Sequence, residues 1–270
     1  MTTRTLLLLV GIPLLLLRAG EQYPSGTRSH AMGRSFMAAG GAWAVAANTA
    51  RLAYYSQQSF SILYSPGLFQ LHELRSAALA GTIPISTGVA GASIEHFGFD
   101  LYNETSIHTG IGFPLSENFA VGVSAAVYSL TIAGYGSTQQ GTMNIGIIGK
   151  PFQQLELGCC WKNVACSRIG RTNERLPQIL NLGLEYGPAE DFRFVMSLEK
   201  DVRYPLSLRA GLEKSFMDVF LLRCGTGDNP STFTAGFSIR ISSCEIGYGA
   251  SSHSELGWTH QFEIHYNLGK

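Results

Sequence analysis

The chain predicts an all-β fold, a transmembrane antiparallel β-barrel of about 14 strands with a short N-terminal plug-like segment. Three observations predict it. Period-two stretches succeed one another between Glu73 and the C-terminus. Most run about nine to thirteen residues, where ordinary globular strands average ~5–6 and a tilted bilayer-crossing strand needs ~9–11. The chain also opens on a short apolar run of the kind that directs export.

Residues Met1 to Leu17 carry Arg4 and then LLLLVGIPLLLL, followed by Arg18-Ala19-Gly20-Glu21. This run of about a dozen residues is too short for a helix across a ~30 Å hydrocarbon core, and Pro13 interrupts it. It reads as a secretory signal peptide over residues 1–20, removed near Gly20. A buried core helix is the alternative, but nothing amphipathic comes after it. No later segment offers a helical span, so the expected location is the bacterial outer membrane.

Residues 21–58 differ in character from the barrel strands. AMGRSFMAAGGAWAVAANTARLAYY is small, Gly/Ala-rich and weakly helical. Small side chains permit close backbone approach, so this piece suits the mouth of a barrel. A loose periplasmic lead-in would leave Trp43, Tyr54 and Tyr55 exposed. The plug residues singled out are Met32, Gly33, Gly40, Gly41, Trp43, Tyr54 and Tyr55.

The barrel itself spans 59–270. Strands are expected near 59–65, 74–83, 87–96, 103–113, 118–130, 140–150, 153–162, 178–187, 191–200, 205–215, 218–225, 231–241, 243–251 and 256–267. The connections after every second strand are tight, as at Pro84-Ile85-Ser86, Pro151-Phe152 and Phe216-Met217. The others are longer, notably Pro66 to Glu73, Thr131 to Thr138 and Asn163 to Pro177. Short periplasmic turns alternating with longer outer loops suit an outer-membrane barrel, and an even count puts both ends on one side.

Successive side chains of a strand point to opposite faces. The oily face carries Leu155, Leu157, Trp161, Phe192, Phe194, Met196, Leu198, Phe233, Phe237, Ile239, Trp258, Phe262, Ile264 and Tyr266. Aromatics gather toward strand ends, as interfacial girdles do. His260 interrupts this face. The opposite face carries Glu156, Glu185, Arg193, Glu199, Arg209, Glu213, Arg240, Glu245 and Glu263 among Gly, Ser and Thr. Two readings stand: a structural network of charges paired across strands, or a lining that meets solute or cargo. On the face assignment, Leu208→Arg is the costly change and Ser207→Arg the tolerated one. In a soluble sandwich the oily residues would instead be core, and alternation alone does not separate the two.

Composition narrows the partners. Charged residues are 14% of the chain against ~25% in ordinary soluble domains. Glycine numbers 31, only five of 19 basic residues are lysine, and the formal charge is zero. Without a basic stripe there is no electrostatic reason to bind nucleic acid. Five cysteines show no C-x-x-C spacing, and neighbours Cys159 and Cys160 point to opposite faces, so they read as small hydrophobes. The histidines lack metal-ligand spacing, no G-x-S-x-G occurs, and His253, Ser254 and Glu255 lie too close in sequence to converge. The expectation is a non-enzyme with no catalytic residue, metal or cofactor.

AMGRSFMAAGGAWAVAANTARLAYY resembles the opening of the FadL-type outer-membrane family and its shorter PorV/PorQ-like relatives, components of type IX secretion. Where that opening closes on Asn-Pro-Ala, this chain holds Ser56-Gln57-Gln58. IAGYGS, NERLPQILNLGLEYGP, SLEKDVRYPLSLRAGLE, DNPSTFTAGFSI and SELGWTHQFEIHY are similar to the shorter relatives, covering most of the mature chain. The resemblance implies a fourteen-stranded barrel. It implies two roles: assisting protein secretion with secretion-system proteins or exported cargo as partners, or passage of hydrophobic small molecules. A structural membrane protein without transport is the third reading. The chain ends Tyr266-Asn267-Leu268-Gly269-Lys270, without the final aromatic common in barrel-assembly signals.

Overall fold

The computed structural model describes residues 25–169, 174–253 and 255–269. The expected signal peptide over 1–20, and part of the loop from Asn163 to Pro177, lie outside the described residues.

Fourteen strands close into one antiparallel barrel. In chain order they are β1 (Ser59–Ser65), β2 (Ser76–Ile85), β3 (Gly88–Phe99), β4 (Tyr102–Ser116), β5 (Phe119–Ile132), β6 (Gly136–Phe152) and β7 (Leu155–Lys162). A two-stranded ribbon, β8 (Arg168–Ile169) and β9 (Glu174–Arg175), then lies outside the barrel sheet. The wall resumes with β10 (Ile179–Ala189), β11 (Phe192–Asp201), β12 (Ser207–Phe216), β13 (Phe220–Gly227), β14 (Thr232–Ile241), β15 (Cys244–His253) and β16 (Gly257–Asn267). Pairing of β1 with β16, from Ser59↔Asn267 to Tyr64↔Phe262, closes the cylinder. Both chain ends of the barrel therefore sit at the tight-turn end.

Period two is visible directly: β1 alternates buried and exposed along its whole length. The exposed series is apolar on every side of the cylinder, with Ile62, Leu79, Ile107, Val123, Ile145, Leu182, Leu212 and Ile264 all facing outward. Leu206 and Phe237, which a sandwich would bury between sheets, are 52% and 40% exposed. A continuous apolar exterior on a closed barrel is a lipid-facing surface, because a water-facing one of that extent would aggregate. Trp161, Tyr186, Trp258 and Tyr266 stand exposed toward its rims. His260 is reconciled with this face by its neighbour: Tyr248 stacks on it at 6.0 Å, and their hydroxyl and Nδ1 are 2.7 Å apart.

One expectation needs correction. The connection at Thr131 to Thr138 is not a long loop, because β5 runs to Ile132 and β6 starts at Gly136. Polar residues such as Ser129, Thr131, Ser137 and Gln139 suggest a loop by type alone. They are the ends of strands that continue beyond the apolar band, where period two no longer needs an oily face.

Candidate functional site

The interior of the barrel is the candidate site, and the N-terminal segment fills much of it. That segment is a chain of single turns: α1 (Gly26–Ala31), 3₁₀ turns at Phe36–Ala38 and Gly41–Trp43, α2 (Ala44–Ala47) and a 3₁₀ stretch Thr49–Tyr54. Met32, Met37, Ala44, Val45, Ala50 and Leu52 are almost wholly buried. Asn48 caps the last stretch by accepting from Ala50 N, and its amide donates to the wall carbonyls of Ile147 and Cys159.

The wall receives this segment on glycine. Inward-facing glycines pair directly across strands: Gly91 with Gly110, Gly112 with Gly122, Gly122 with Gly146, Gly158 with Gly183, Gly211 with Gly225, and Gly236 with Gly249. A β-carbon on Gly112 would lie 2.7 Å from Ala53 N and Thr49 O, and one on Gly211 would lie 2.5 Å from Met32 Cβ. Backbone meets backbone there, so no side chain fits. Glycine removes the Cβ and allows the approach.

Charge then ties segment to wall. Arg51 meets Glu185 at 2.5 Å and Glu156 at 3.2 Å. Arg28 meets Glu185 at 3.1 Å and Glu213 at 3.0 Å. Arg223 carries the chain onward, to Glu213 at 2.6 Å and Glu245 at 3.0 Å, and Glu245 ends on Arg240 at 3.1 Å. Four carboxylates and four guanidinium groups thus alternate in one arc through the lumen. Removing one member would strand an opposite charge in a confined space. Glu263 makes a separate tie, accepting from Thr27 N (2.7 Å), Thr27 Oγ1 (2.7 Å) and Trp43 Nε1 (2.6 Å).

At the turn end the arc borders a cavity of about 480 Å³, lined by Arg28, Trp43, Tyr54, Tyr55, Arg223, Arg240, Glu245, Glu263 and His265 among others. Ser61 Oγ lies 2.8 Å from His265 Nδ1, and His265 Nε2 lies 3.2 Å from Asn267 Oδ1. The residue types suggest a hydrolase trio, but Ser61 has no exposed surface, so no substrate reaches its hydroxyl. Ser61 and His265 are cross-strand partners, and the contact is a tie between β1 and β16. His30, buried in α1, has its imidazole pushed down to about 3, first by burial and then by the Arg34 charge.

The residues singled out in the sequence are placed as follows. Glu156, Glu185, Glu213, Arg240 and Glu245 join the arc, and Arg193 stands at its margin, 4.0 Å from Glu185. Glu199 and Arg209 pair at 2.6 Å apart from it. Of the segment residues, Met32 packs on Gly211, and Gly33 has φ 70° where its nitrogen donates to Thr234 Oγ1. Gly40 lies against the Tyr55 hydroxyl and Gly41 against His265. Trp43 is bound to Glu263, and the Tyr54 ring lies 3.4 Å under Lys150 Nζ.

Sequence reasoning missed Arg28, Arg51 and Arg223. A charged residue inside an Ala-rich segment was the available signal for the first two. Arg223 was hidden because Leu221, also inward and buried, blurs the alternation of FLLRCG. The tolerance expected for Ser207→Arg is also corrected: Ser207 is buried and its hydroxyl donates to Asp228 O at 2.6 Å, so the polar face there is not a wet one. Among the described residues no cluster of His, Cys, Asp or Glu has the arrangement of a metal site.

No protein-family model and no curated protein sequence matches the chain. Solved structures do resemble it in fold. A Pseudomonas aeruginosa FadL homologue has a TM-score of 0.64 at 10% identity, covering 93% of this chain and 100% of that one. The Pseudomonas putida toluene transporter TodX scores 0.65 at 12% identity, over 92% and 98%. The Ralstonia pickettii toluene transporter TbuX scores 0.63 at 12% identity, over 90% and 98%. At these identities the finding is a shared fold: this chain is built like the FadL-type barrels.

Proposed function

We propose that this chain is an outer-membrane barrel that takes part in moving hydrophobic small molecules across that membrane. The observation carrying the reading is the closed fourteen-strand wall with an apolar exterior, in a fold shared with a FadL homologue and two toluene transporters. Export by a cleaved signal peptide belongs to the same proposal. Passage through the lumen requires the N-terminal segment to yield, because it fills the space between opposite walls.

The test is flux into vesicles. Purified protein reconstituted in phospholipid vesicles is expected to speed entry of toluene or a long-chain fatty acid over protein-free vesicles. Arg51→Ala, which loosens the segment, is expected to raise that rate further. Rates equal to empty vesicles for both proteins would end the transport reading.

A second reading has its own support. The lumen is polar, ion-paired and seated on glycine, which suits a barrel that uses its rim and not its bore. That is the PorV/PorQ-like role, in which secretion-system proteins or exported cargo are the partners. Affinity isolation of the detergent-solubilised protein separates the two, since bound lipids or hydrocarbons favour transport and co-purifying secretion subunits favour this role. A purely structural membrane protein is what remains if neither is found.

A further inference from the structure

The cavity at the turn end differs in chemistry from the apolar exterior of the barrel. Its volume of about 480 Å³ falls within the ~300–1,000 Å³ usual for small-ligand sites. Among the described residues it is lined by the guanidinium groups of Arg28, Arg223 and Arg240 and the carboxylates of Glu213, Glu245 and Glu263. These charges cancel, and both oxygens of each carboxylate are already engaged. Glu213 accepts from Arg28 and Arg223, Glu245 from Arg223, Ser238 and Arg240, and Glu263 from Thr27 and Trp43. A cation entering here finds each carboxylate taken, and an anion finds guanidinium groups neutralised in place.

What remains unspent is mainly donor capacity. Arg223 Nη1 and the Tyr54 hydroxyl belong to cavity-lining residues, are buried, and have no partner in the protein. Arg240 reaches the mouth, its side chain 45% exposed. Ser56 and Gln57 stand exposed there too, two of the three residues found where the resembling openings close on Asn-Pro-Ala. A buried donor left without an acceptor is costly, so the cavity suits a ligand with oxygen atoms to offer. Tyr54 and Tyr55 add partly exposed aromatic rings to the same wall.

We propose that this cavity binds a neutral saccharide of one or two rings, entering from the turn side. A sugar carries oxygens that accept from the unspent donors and hydroxyls that reach the polar groups at the mouth. Its C–H face lies well on an aromatic ring, and it brings no net charge into a balanced site. A hydrocarbon would leave Arg223 Nη1 and the Tyr54 hydroxyl unpaired. An extended peptide would find no strand edge to join, because β1 closes on β16 beside the cavity. The site is separate from passage of hydrophobic molecules and takes only its side of entry from the membrane-embedded reading.

The experiment uses the full chain in an amine-oxide detergent, since maltoside micelles themselves present sugar. Binding of maltose and of N,N′-diacetylchitobiose is followed by calorimetry, with sodium acetate and tetramethylammonium chloride as charged probes. Saturable binding of at least one disaccharide is expected, at least ten-fold tighter than either ion. Tyr54→Phe removes only the hydroxyl and is expected to weaken that binding at least five-fold. Gln57→Ala, at the exposed mouth, is expected to weaken it at least two-fold, while Tyr64→Phe on the outer face leaves it unchanged. Thermal melting of each variant beside the parent separates lost binding from lost fold. Chitohexaose is run alongside: binding equal to the two-ring probe means that the site takes the end of a glycan strand, exclusion that it takes free sugar, and either supports the proposal. Absence of saturable binding by both disaccharides, tighter binding of either ion, or parental affinity in both cavity variants would each overturn it. Toluene flux is measured on the same preparation, so failure of the transport reading shows apart from failure of the sugar site.

Discussion

The two faces of one wall obey different rules. Outward, the barrel asks only that a side chain be apolar: Leu, Ile, Val and Phe exchange places from strand to strand, and even His260 is accommodated once Tyr248 lies beside it. Inward, it asks for particular shapes and charges: paired glycines where the segment's backbone approaches, and arginine opposite glutamate along the arc. A fluid lipid conforms to any oily outline, while a folded segment conforms to one. The outer face is therefore specified by class of residue and the inner face by identity.

The largest losses are expected on the inner face, where residue identity matters most. Arg51→Ala leaves Glu185 and Glu156 without their shared guanidinium, and a buried pair broken on one side typically costs about 3–5 kcal/mol. The fall is expected in the urea midpoint of the barrel refolded in micelles; a loss under about 1 kcal/mol would mean the arc is solvated. Leu208→Arg attacks the other face and is expected to cost about 2–4 kcal/mol near the bilayer midplane. It should be read in lipid and in detergent, since a lipid-facing site loses more in lipid.

Gly122→Val comes next. Its β-branched side chain would meet the backbone at Thr49 and Ala50, and overpacking of this kind costs about 1–3 kcal/mol. Protease cleavage within residues 25–58 is expected to quicken in this variant while the barrel stays resistant. Trp43→Phe keeps an aromatic ring and loses the bond to Glu263, about 1.5–3 kcal/mol for a hydrogen bond to a charged group. The smallest effect is expected for His260→Leu, within about 1 kcal/mol either way by thermal melting in lipid. The variant loses the contact with the Tyr248 hydroxyl and gains an apolar side chain on a tolerant face. A large loss there would mean that this patch faces something other than lipid.

Most of the wall was legible from residue types. LELGCCWK, DFRFVMSLEK and STFTAGFSIRI each became a strand within a residue or two of the expected span, because period two and a one-sided solvent impose the same alternation. The strand ends of β5 and β6 were not, since beyond the apolar band both faces are polar and alternation vanishes. The nine lumen charges could be assigned to a face, but their partners could not. Glu185 and Glu213 are 28 residues apart in sequence and meet through Arg28, which lies more than 150 residues earlier than either.

What the chain's own pattern determined is local: which face is greasy, how many strands cross and where each turns back. Hydrophobic alternation and turn chemistry act over a few residues, and so they can be read a few residues at a time. Closure of β1 on β16, the seat of glycines beneath the N-terminal segment and the alternation of charge through the lumen were decided only by the tertiary structure. They depend on distances between residues far apart in sequence, and curvature of the closed sheet brings those residues together.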